Sequence, residues 1–206
     1  MARQYDPVKR LIDVIVASVG LLITAPVQAA LAHLVARKLG RPVLFRQQRP
    51  GRFGMPSSLS KFRTMWDPDP ASGLASDADR LTPFGSFLRS TSLDELPTLW
   101  NVLRGGMSLV GPRQLMMQYL ETYTPQQARR HEVRPGITGL AQVSGRNELT
   151  WEQKFAADND YVDRRSPLLD AKIAIMTVWS VVCRRGISAP GNSTMPEFFG
   201  ASDGRG

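Results

Sequence analysis

Apolar positions are spread unevenly along the chain. From Val14 to Ala36 they run for 23 residues without an Asp, Glu, Lys or Arg, long enough at about 1.5 Å per residue to cross a hydrocarbon layer of about 30 Å. A second pattern, Leu168, Leu169, Ile173, Ile175, Met176, Trp179 and Val182, recurs at roughly helical spacing and ends in Arg184 and Arg185. It predicts an amphipathic helix that either covers a core or lies at a membrane interface. Between the two, Val43-Leu44-Phe45 predicts a short strand, followed by a basic turn from Arg49 to Gly54. Ser58 to Met65 predicts a second extended segment paired with the first. Leu81 to Leu103 is patterned as helix in two parts. Trp66 to Arg80, rich in Asp, Pro, Ser and Ala, lacks periodicity and predicts a long loop of the kind that often serves as a lid or binding element.

Basic residues flank both ends of the long apolar run: Lys9 and Arg10 precede it, and Arg37, Lys38 and Arg41 follow it. Basic clusters are retained on the cytoplasmic face of a membrane, so a straight span satisfies only one of them. Pro26, near the middle of the run, removes a backbone donor and clashes with the preceding turn. A re-entrant helix-break-helix, entering and leaving through one leaflet, satisfies both clusters and is preferred to a straight span. A buried core helix ranks third, since Gln28 and His33 are tolerable in a soluble interior, and a cleaved signal peptide does not fit the flanks. The expected organisation is a re-entrant membrane hairpin over residues 1–40, then a compact cytoplasmic domain over 41–187. The fold class is α+β, mainly helical, with a small β element and interfacial amphipathic helices. A loosely ordered tail over 188–206 follows, where Gly, Pro, Ser and Asn accumulate.

Composition narrows the chemistry. With 206 residues, 42% apolar and 21% charged, the chain folds and has room for one compact domain. The single Cys183 excludes a disulfide framework and a cysteine-built zinc site. With only His33 and His131 as imidazoles, zinc enzymes and Ser-His-Asp hydrolases recede. Lys plus Arg is 26 against 18 for Asp plus Glu, a net +8, and most of the basic set is arginine. That balance points to nucleic acid, acidic lipid or a phosphorylated substrate, and the planar arginine fork favours phosphate oxygens.

Ser92-Leu93-Asp94-Glu95-Leu96-Pro97 is the most informative hexapeptide. Read structurally, Ser92 and Glu95 form a capping box, with Pro97 in a first helical turn. Read chemically, two adjacent carboxylates at a helix N-terminus, kept ionised by the helix dipole, form a metal and phosphate site. An ionised Asp can attack a phosphoryl group provided a hard cation and arginines neutralise the phosphate. Arg89 lies one turn upstream, and the turn from Gly105 through Pro112 brings in Arg113. Two further turns, Arg134 to Gly139 and Gln142 to Asn147, combine glycine with basic residues, a composition that lets backbone N–H groups approach phosphates. No Walker loop or dinucleotide fingerprint is present.

Taken in order, these blocks resemble the bacterial sugar transferases, the monotopic phosphoglycosyl transferases of the small catalytic-core type, over nearly the full chain. The residues concerned are Lys9-Arg10-Leu11-Ile12-Asp13, Pro26, Phe45-Arg46-Gln47, Lys61 to Met65, Leu88-Arg89 and Ser92 to Pro97. The likeness continues through Asn101-Val102-Leu103, Met107 to Arg113, Pro135 to Gly139, Gln142-Val143, Gly145-Arg146-Asn147, Asp158 and Tyr161-Val162. The resemblance implies transfer of a sugar 1-phosphate from a UDP-sugar to a polyprenyl (undecaprenyl) phosphate, releasing UMP, on the cytoplasmic face of the bacterial inner membrane. It implies Asp94 as nucleophile and magnesium ligand, with Glu95 its acid/base or metal-supporting partner. Lys61, Arg89, Arg113 and Arg146 would hold substrate phosphates, Pro112 would belong to the substrate-binding set, and Asp158 would be a further polar member. Mg2+ suits the oxygen-only ligand supply, the two-step reaction implies ping-pong kinetics, and a homodimer is compatible with the reading.

This chain departs from the family pattern at Gly106, where Asp is usual, at Gln114, where Pro is usual, and at Ala25-Pro26, where many relatives have Ser-Pro. Two other classes compete. A basic domain docking on nucleic acid leaves the carboxylate pair and the apolar run without a role, so no nucleic-acid partner is expected. A non-catalytic membrane scaffold leaves the complete site without one.

Overall fold

The computed structural model describes residues 2–145, 149–183 and 198. It opens with one long helix, α1 (Ala2–Leu39). An antiparallel hairpin follows, β1 (Leu44–Pro50) and β2 (Pro56–Phe62), with Phe45 opposite Lys61 and Arg49 opposite Ser57. Next come α2 (Asp77–Arg80), α3 (Pro83–Ser90), a 3-10 turn at Leu93–Glu95 and α4 (Thr98–Leu103). β3 (Ser108–Val110) pairs in parallel with β4 (Gly136–Thr138), and α5 (Pro125–Ala128) lies in the crossover between them. The described chain then runs through α6 (Leu140–Val143), α7 (Trp151–Arg164) and α8 (Pro167–Val182). The expected hairpin, the helix in two parts and the C-terminal helix are present. The β3–β4 pair and α7 carry no strong sequence periodicity and were not anticipated. Within Trp66 to Arg80, Ser76 caps α2 through a reciprocal pair with Asp79.

α1 continues helical through Pro26, so the expected helix-break-helix is one helix with a proline inside it rather than two separate helices. A proline costs a helix one donor and one steric contact, which a neighbouring hydroxyl can relieve. Thr24 Oγ1 donates to the Gly20 carbonyl at 2.6 Å, and Gln28 Nε2 donates to Thr24 Oγ1 at 2.9 Å. The hydroxyl beside the proline therefore comes from Thr24.

Both halves of α1 dock on the same body. On the N-terminal half, Lys9 pairs with Asp170 at 2.6 Å, and Arg10 donates to the Val102 and Leu103 carbonyls at 2.6 and 2.9 Å. Asp13, buried, accepts the Leu109 N–H at 3.0 Å. Ala17 packs with Val102 and Met107. On the C-terminal half, Leu31, Val35 and Leu39 form a core with Phe62 and Leu88, and the buried Arg63 guanidinium donates to the Leu39 carbonyl at 2.6 Å. The outer face is apolar and open: Leu11, Ile15, Leu22 and Ile23 are all more than half exposed. On α8, Ile173 is buried while Leu168, Ile175, Val178 and Trp179 are exposed.

A third core holds Val110, Val133, Tyr161, Val162 and Ile173. An aromatic cluster joins Tyr119 and Phe155 to Phe198, whose N–H donates to the Tyr119 hydroxyl at 3.2 Å. Phe198 is thus a seated residue within the expected loose tail, the rest of which lies outside the described residues.

α3 packs unusually close to the strand end, since a Cβ on Gly85 would lie 1.8 Å from the Thr64 carbonyl oxygen. Gly85→Ala must push α3 off Thr64, and the expected cost is about 3 kcal/mol by the scale of overpacked cores, read as a loss of thermal stability against wild type.

Candidate active site

Asp94 and Glu95 end the 3-10 turn, which is entered through Ser92 at φ 56°, ψ 16°, in the left-handed region. The capping box does not form: the Ser92 side chain makes no cap bond, and α4 starts only at Thr98, behind Pro97. A left-handed non-glycine residue is strained and persists where its surroundings over-determine it. Here Leu93 and Leu96 pack on the core of Phe62 and Leu88, and α4 is tied to β2 immediately downstream. Thr98 Oγ1 donates to the Ser60 carbonyl at 3.1 Å, Asn101 Oδ1 accepts the Ser60 N–H at 3.1 Å, and Asn101 Nδ2 donates to the Ser58 carbonyl. The turn is pinned on both sides, with Asp94 only 4% exposed.

Those ties also bring in Lys61, on the next residue of β2. The block from Lys61 to Met65 divides its work residue by residue. Lys61 stands with its ammonium 5.8 Å from the centre of the Phe45 ring. Phe62 enters the core, and Arg63 caps the C-terminal end of α1. Thr64 Oγ1 accepts from Arg89 Nε at 3.1 Å, and Met65 Sδ lies 3.4 Å from Arg89 Nη2. Arg89 is thereby aimed from α3 toward the carboxylates.

Burial pushes the Asp94 carboxyl up to about 6, repulsion from Glu95 adds to it, and Lys61 and Arg89 pull against it. Burial likewise lowers the Lys61 ammonium from its ordinary range, with Asp94 the main opposing influence. The expectation that a helix dipole keeps Asp94 fully ionised is corrected: no α-helix begins at it, and desolvation outweighs the nearby cations. Arg113 Nη2 stands 4.0 Å from Glu95 Oε1, closing the cluster on the exposed side. Arg49 was read only as part of a basic turn; it is half-buried and lowered by burial and by Arg113. Phe45 and Thr64 are foreseen only as parts of the paired extended segments and of the family blocks, and their roles beside Lys61 and Arg89 arise from strand pairing rather than from any local signal.

Asp158 stands apart. It is buried in an ion pair with Arg130 at 2.7 Å, and Arg130 Nη2 also donates to the Arg113 carbonyl at 2.6 Å. Its link to the cluster therefore runs through the Arg113 backbone. Pro112 lines a small depression with Arg113, Gln114 and His131. The Gln114 amide is buried there without a hydrogen-bond partner among the described residues. Beside Gly106 the Ser57 hydroxyl fills the space, 2.6 Å from where a Cβ would stand. Arg146 lies outside the described residues. The turns Arg134 to Gly139 and Gln142 to Asn147 are expected to offer N–H groups to phosphate; in the first, the Gly136 N–H is spent on the Pro112 carbonyl at 3.0 Å, and in the earlier turn the Gly111 N–H is spent on the Thr138 carbonyl at 2.8 Å. Close approach explains these glycines, since a Cβ on Gly136 would lie 2.1 Å from the Gly111 nitrogen.

Because its folded-state pKa of about 6 lies above the ordinary carboxyl value, Asp94 holds its proton more tightly folded than unfolded. Stability from this group is therefore full below the ordinary value and falls as pH rises through about 6. Asp94→Asn escapes that loss: its melting temperature should exceed that of wild type at pH above about 7, and the gap should close by about pH 4, read by thermal denaturation across pH.

A model of the bacterial sugar transferase family matches residues 4–184 of this chain. The chain is 48% identical over 196 residues to an uncharacterized sugar transferase, EpsL, of Bacillus subtilis, covering 95% of this chain and 97% of the relative. It is 41% identical over 186 residues to the UDP-glucose:undecaprenyl-phosphate glucose-1-phosphate transferase of Caulobacter vibrioides, covering 84% and 69%. The enzyme of the same name from Escherichia coli is 41% identical over 182 residues, 83% of this chain but 39% of that longer protein. A turn that buries Asp94 beside Glu95, with Lys61, Arg89 and Arg113 around it, thus sits inside a chain that, by these matches, belongs to the bacterial sugar transferases.

Proposed function

We propose that this protein transfers a sugar 1-phosphate from a UDP-sugar to polyprenyl phosphate, of the undecaprenyl class, as the first membrane step of a glycan. The observation that carries the reading is the buried Asp94 carboxylate beside two cations, Lys61 and Arg89, with Glu95 against Arg113. Relatives whose names state UDP-glucose and undecaprenyl phosphate support the substrate classes.

In the first step an Asp94 oxygen attacks the phosphorus that bears the sugar. The bond from that phosphorus to the bridging oxygen breaks, and UMP leaves with the electron pair. In the second step a phosphate oxygen of the polyprenyl phosphate attacks the same phosphorus, and Asp94 leaves as carboxylate. The product is polyprenyl-diphosphate-sugar. Lys61 and Arg89 offset the charge gathering on the phosphoryl oxygens, and their desolvation makes each contact stronger than it would be in water. Arg113, more exposed, is suited to the outer phosphate, while Glu95 holds or relays the proton nearest the acceptor. Among the described residues no group of three or more Asp, Glu, His or Cys is placed to hold a metal ion. The adjacent carboxylates of Asp94 and Glu95 fit Mg2+, which takes one or two protein carboxylates and completes its shell with water and substrate phosphates. When bound, that ion supplies charge neutralisation for the diphosphate and the departing UMP.

The same proposal places α1 in the membrane. Its ends pack on one polar body while its outer face is apolar, so a passage that separates the two ends across a bilayer would drag that body through it. A re-entrant course from the cytoplasmic leaflet, with the exposed face of α8 lying at the interface, avoids this cost and keeps both basic clusters on one side.

The test is intact mass after incubating membrane-purified protein with magnesium and a panel of UDP-sugars, without acceptor. Wild type should gain one sugar phosphate and release UMP, and Asp94→Asn should do neither. No adduct, and no UMP after polyprenyl phosphate is added, would sink the reading. In steady state, kcat/KM should rise with pH and level off above about 6, following ionisation of Asp94. Replacing Arg89 by Gln should lower kcat by about 100-fold, the usual scale for removing one donor to a developing charge.

A further inference from the structure

A second group of cations gathers away from the Asp94 cluster. Asp6, Lys9, Arg10 and Asp13, one stripe of α1, line a depression with Arg52, Ser108, Arg134 and Arg165. Its acidic residues are largely spoken for. Asp6 pairs with Arg165 at 2.9 Å and lies 3.7 Å from Arg52, and Lys9 is taken by Asp170. Among the described residues, neither Arg10 nor Arg134 has a carboxylate within 4.0 Å. Both converge on one turn. Arg134 Nε donates to the Gly105 carbonyl at 3.0 Å, and Arg10 Nη2 bonds the Leu103 carbonyl and stands 3.3 Å from where a Gly105 Cβ would be. Arg52 Nε, from the hairpin turn, donates to the Glu132 carbonyl at 3.1 Å.

Three guanidiniums thus share a half-buried basin; neutral carbonyls fix the direction of each, and Asp6, 3.7 Å from Arg52, is already paired more closely with Arg165. Like charges so placed repel in a poorly solvated setting, and an anion relieves them. In keeping with this, Arg134 is lowered from its ordinary range by burial first and then by Arg10 and Arg52, with Asp13 and Asp6 opposing less strongly. A phosphate group is the anion whose oxygens suit several arginine forks at once.

The surroundings favour a phosphate carried on a lipid. Val8, Leu11 and Ile12, on the adjoining face of α1, are 52%, 61% and 41% exposed. On the other side Phe53 and Met55 are 69% and 67% exposed. Phe53 is held at φ 57°, ψ 27°, in the left-handed region, with the Arg52 guanidinium 4.7 Å from its ring centre. Strain is spent there on a turn that displays an apolar side chain beside a cation, as an interfacial headgroup site requires.

We infer that the basin of Arg10, Arg52 and Arg134 binds the phosphate of an anionic phospholipid headgroup, separately from the substrate phosphates. It rests on the membrane placement of α1 but not on the transfer reaction. A bound headgroup would tie the start of α1 to the hairpin turn and to the segment before β4.

The test uses the full chain in nanodiscs of phosphatidylcholine, with or without phosphatidylglycerol, and counts lipid retained on the protein by native mass spectrometry. Wild type should retain phosphatidylglycerol several-fold over phosphatidylcholine. Arg52→Gln combined with Arg134→Gln should abolish the preference, and Arg164→Gln, an equal charge loss on an exposed residue elsewhere, should keep it. Unchanged preference in the double variant, or none in wild type, overturns the site. If the double variant does not fold, Arg52→Gln alone decides, because that side chain is partly exposed and holds one carbonyl; retention equal to wild type overturns the proposal. Full displacement of the lipid by inorganic phosphate transfers the site to a soluble anion and overturns the lipid assignment. Failure of wild type to enter phosphatidylcholine nanodiscs overturns the membrane placement and this inference together, whereas entry without preference overturns this inference alone.

Discussion

The docking of α1 along one polar body is the constraint from which the rest follows. An apolar helix of 38 residues has no reason of its own to lie against arginines and carboxylates. It is held by polar contacts at specified points: Lys9 to Asp170, Arg10 to the end of α4, Asp13 to the start of β3, and the helix's last carbonyl, that of Leu39, to Arg63. Few of these groups face water, so each unmade bond would leave a desolvated charge, and the register of the helix is fixed accordingly. Asp170 is shared further, accepting from the Tyr5 and Tyr161 hydroxyls at 2.8 Å each, which ties α1, α7 and α8 to one carboxylate.

That constraint reaches the site from two directions. α4 lies on α1 so closely that a Cβ on Gly20 would stand 3.1 Å from Leu99, and α4 continues directly from the Asp-Glu turn. Arg63, which caps α1, is two residues from Lys61 and next to Thr64, the residue that aims Arg89. Anchor and site are therefore built on the same short stretches of chain. A membrane position of the helix would be transmitted to Lys61, Arg89 and Asp94 without any intervening domain.

Two kinds of electrostatic stress are stored in the fold. At Asp94 a carboxyl is buried beyond what its neighbouring cations compensate, which leaves it proton-hungry and poorly solvated. In the basin at the start of α1, arginines face each other across neutral carbonyls. Local conflict of this kind is what binding or catalytic sites retain.

Much of the architecture was legible from the sequence because it is local. An uncharged run between basic flanks reads as a membrane-length helix, alternation on either side of a basic turn reads as a hairpin, and the spacing from Leu168 to Val182 reads as an amphipathic helix. Asp94 and Glu95 stood out by adjacency, and Lys61, Arg89 and Arg113 by membership of recognisable blocks. Other features depended on contacts between distant residues. Whether Ser92 capped a helix or turned left-handed was decided by packing on both sides of the turn, and the glycines at 111 and 136 serve two backbones in contact rather than a phosphate. Asp158 became the partner of Arg130 because burial demands a counter-charge that only folding supplies. Periodicity and residue type fix which groups are available and where helices and strands form. Which charges meet, which lose their water and which stay unpaired is set by long-range packing, because desolvation exists only once the chain has closed around them.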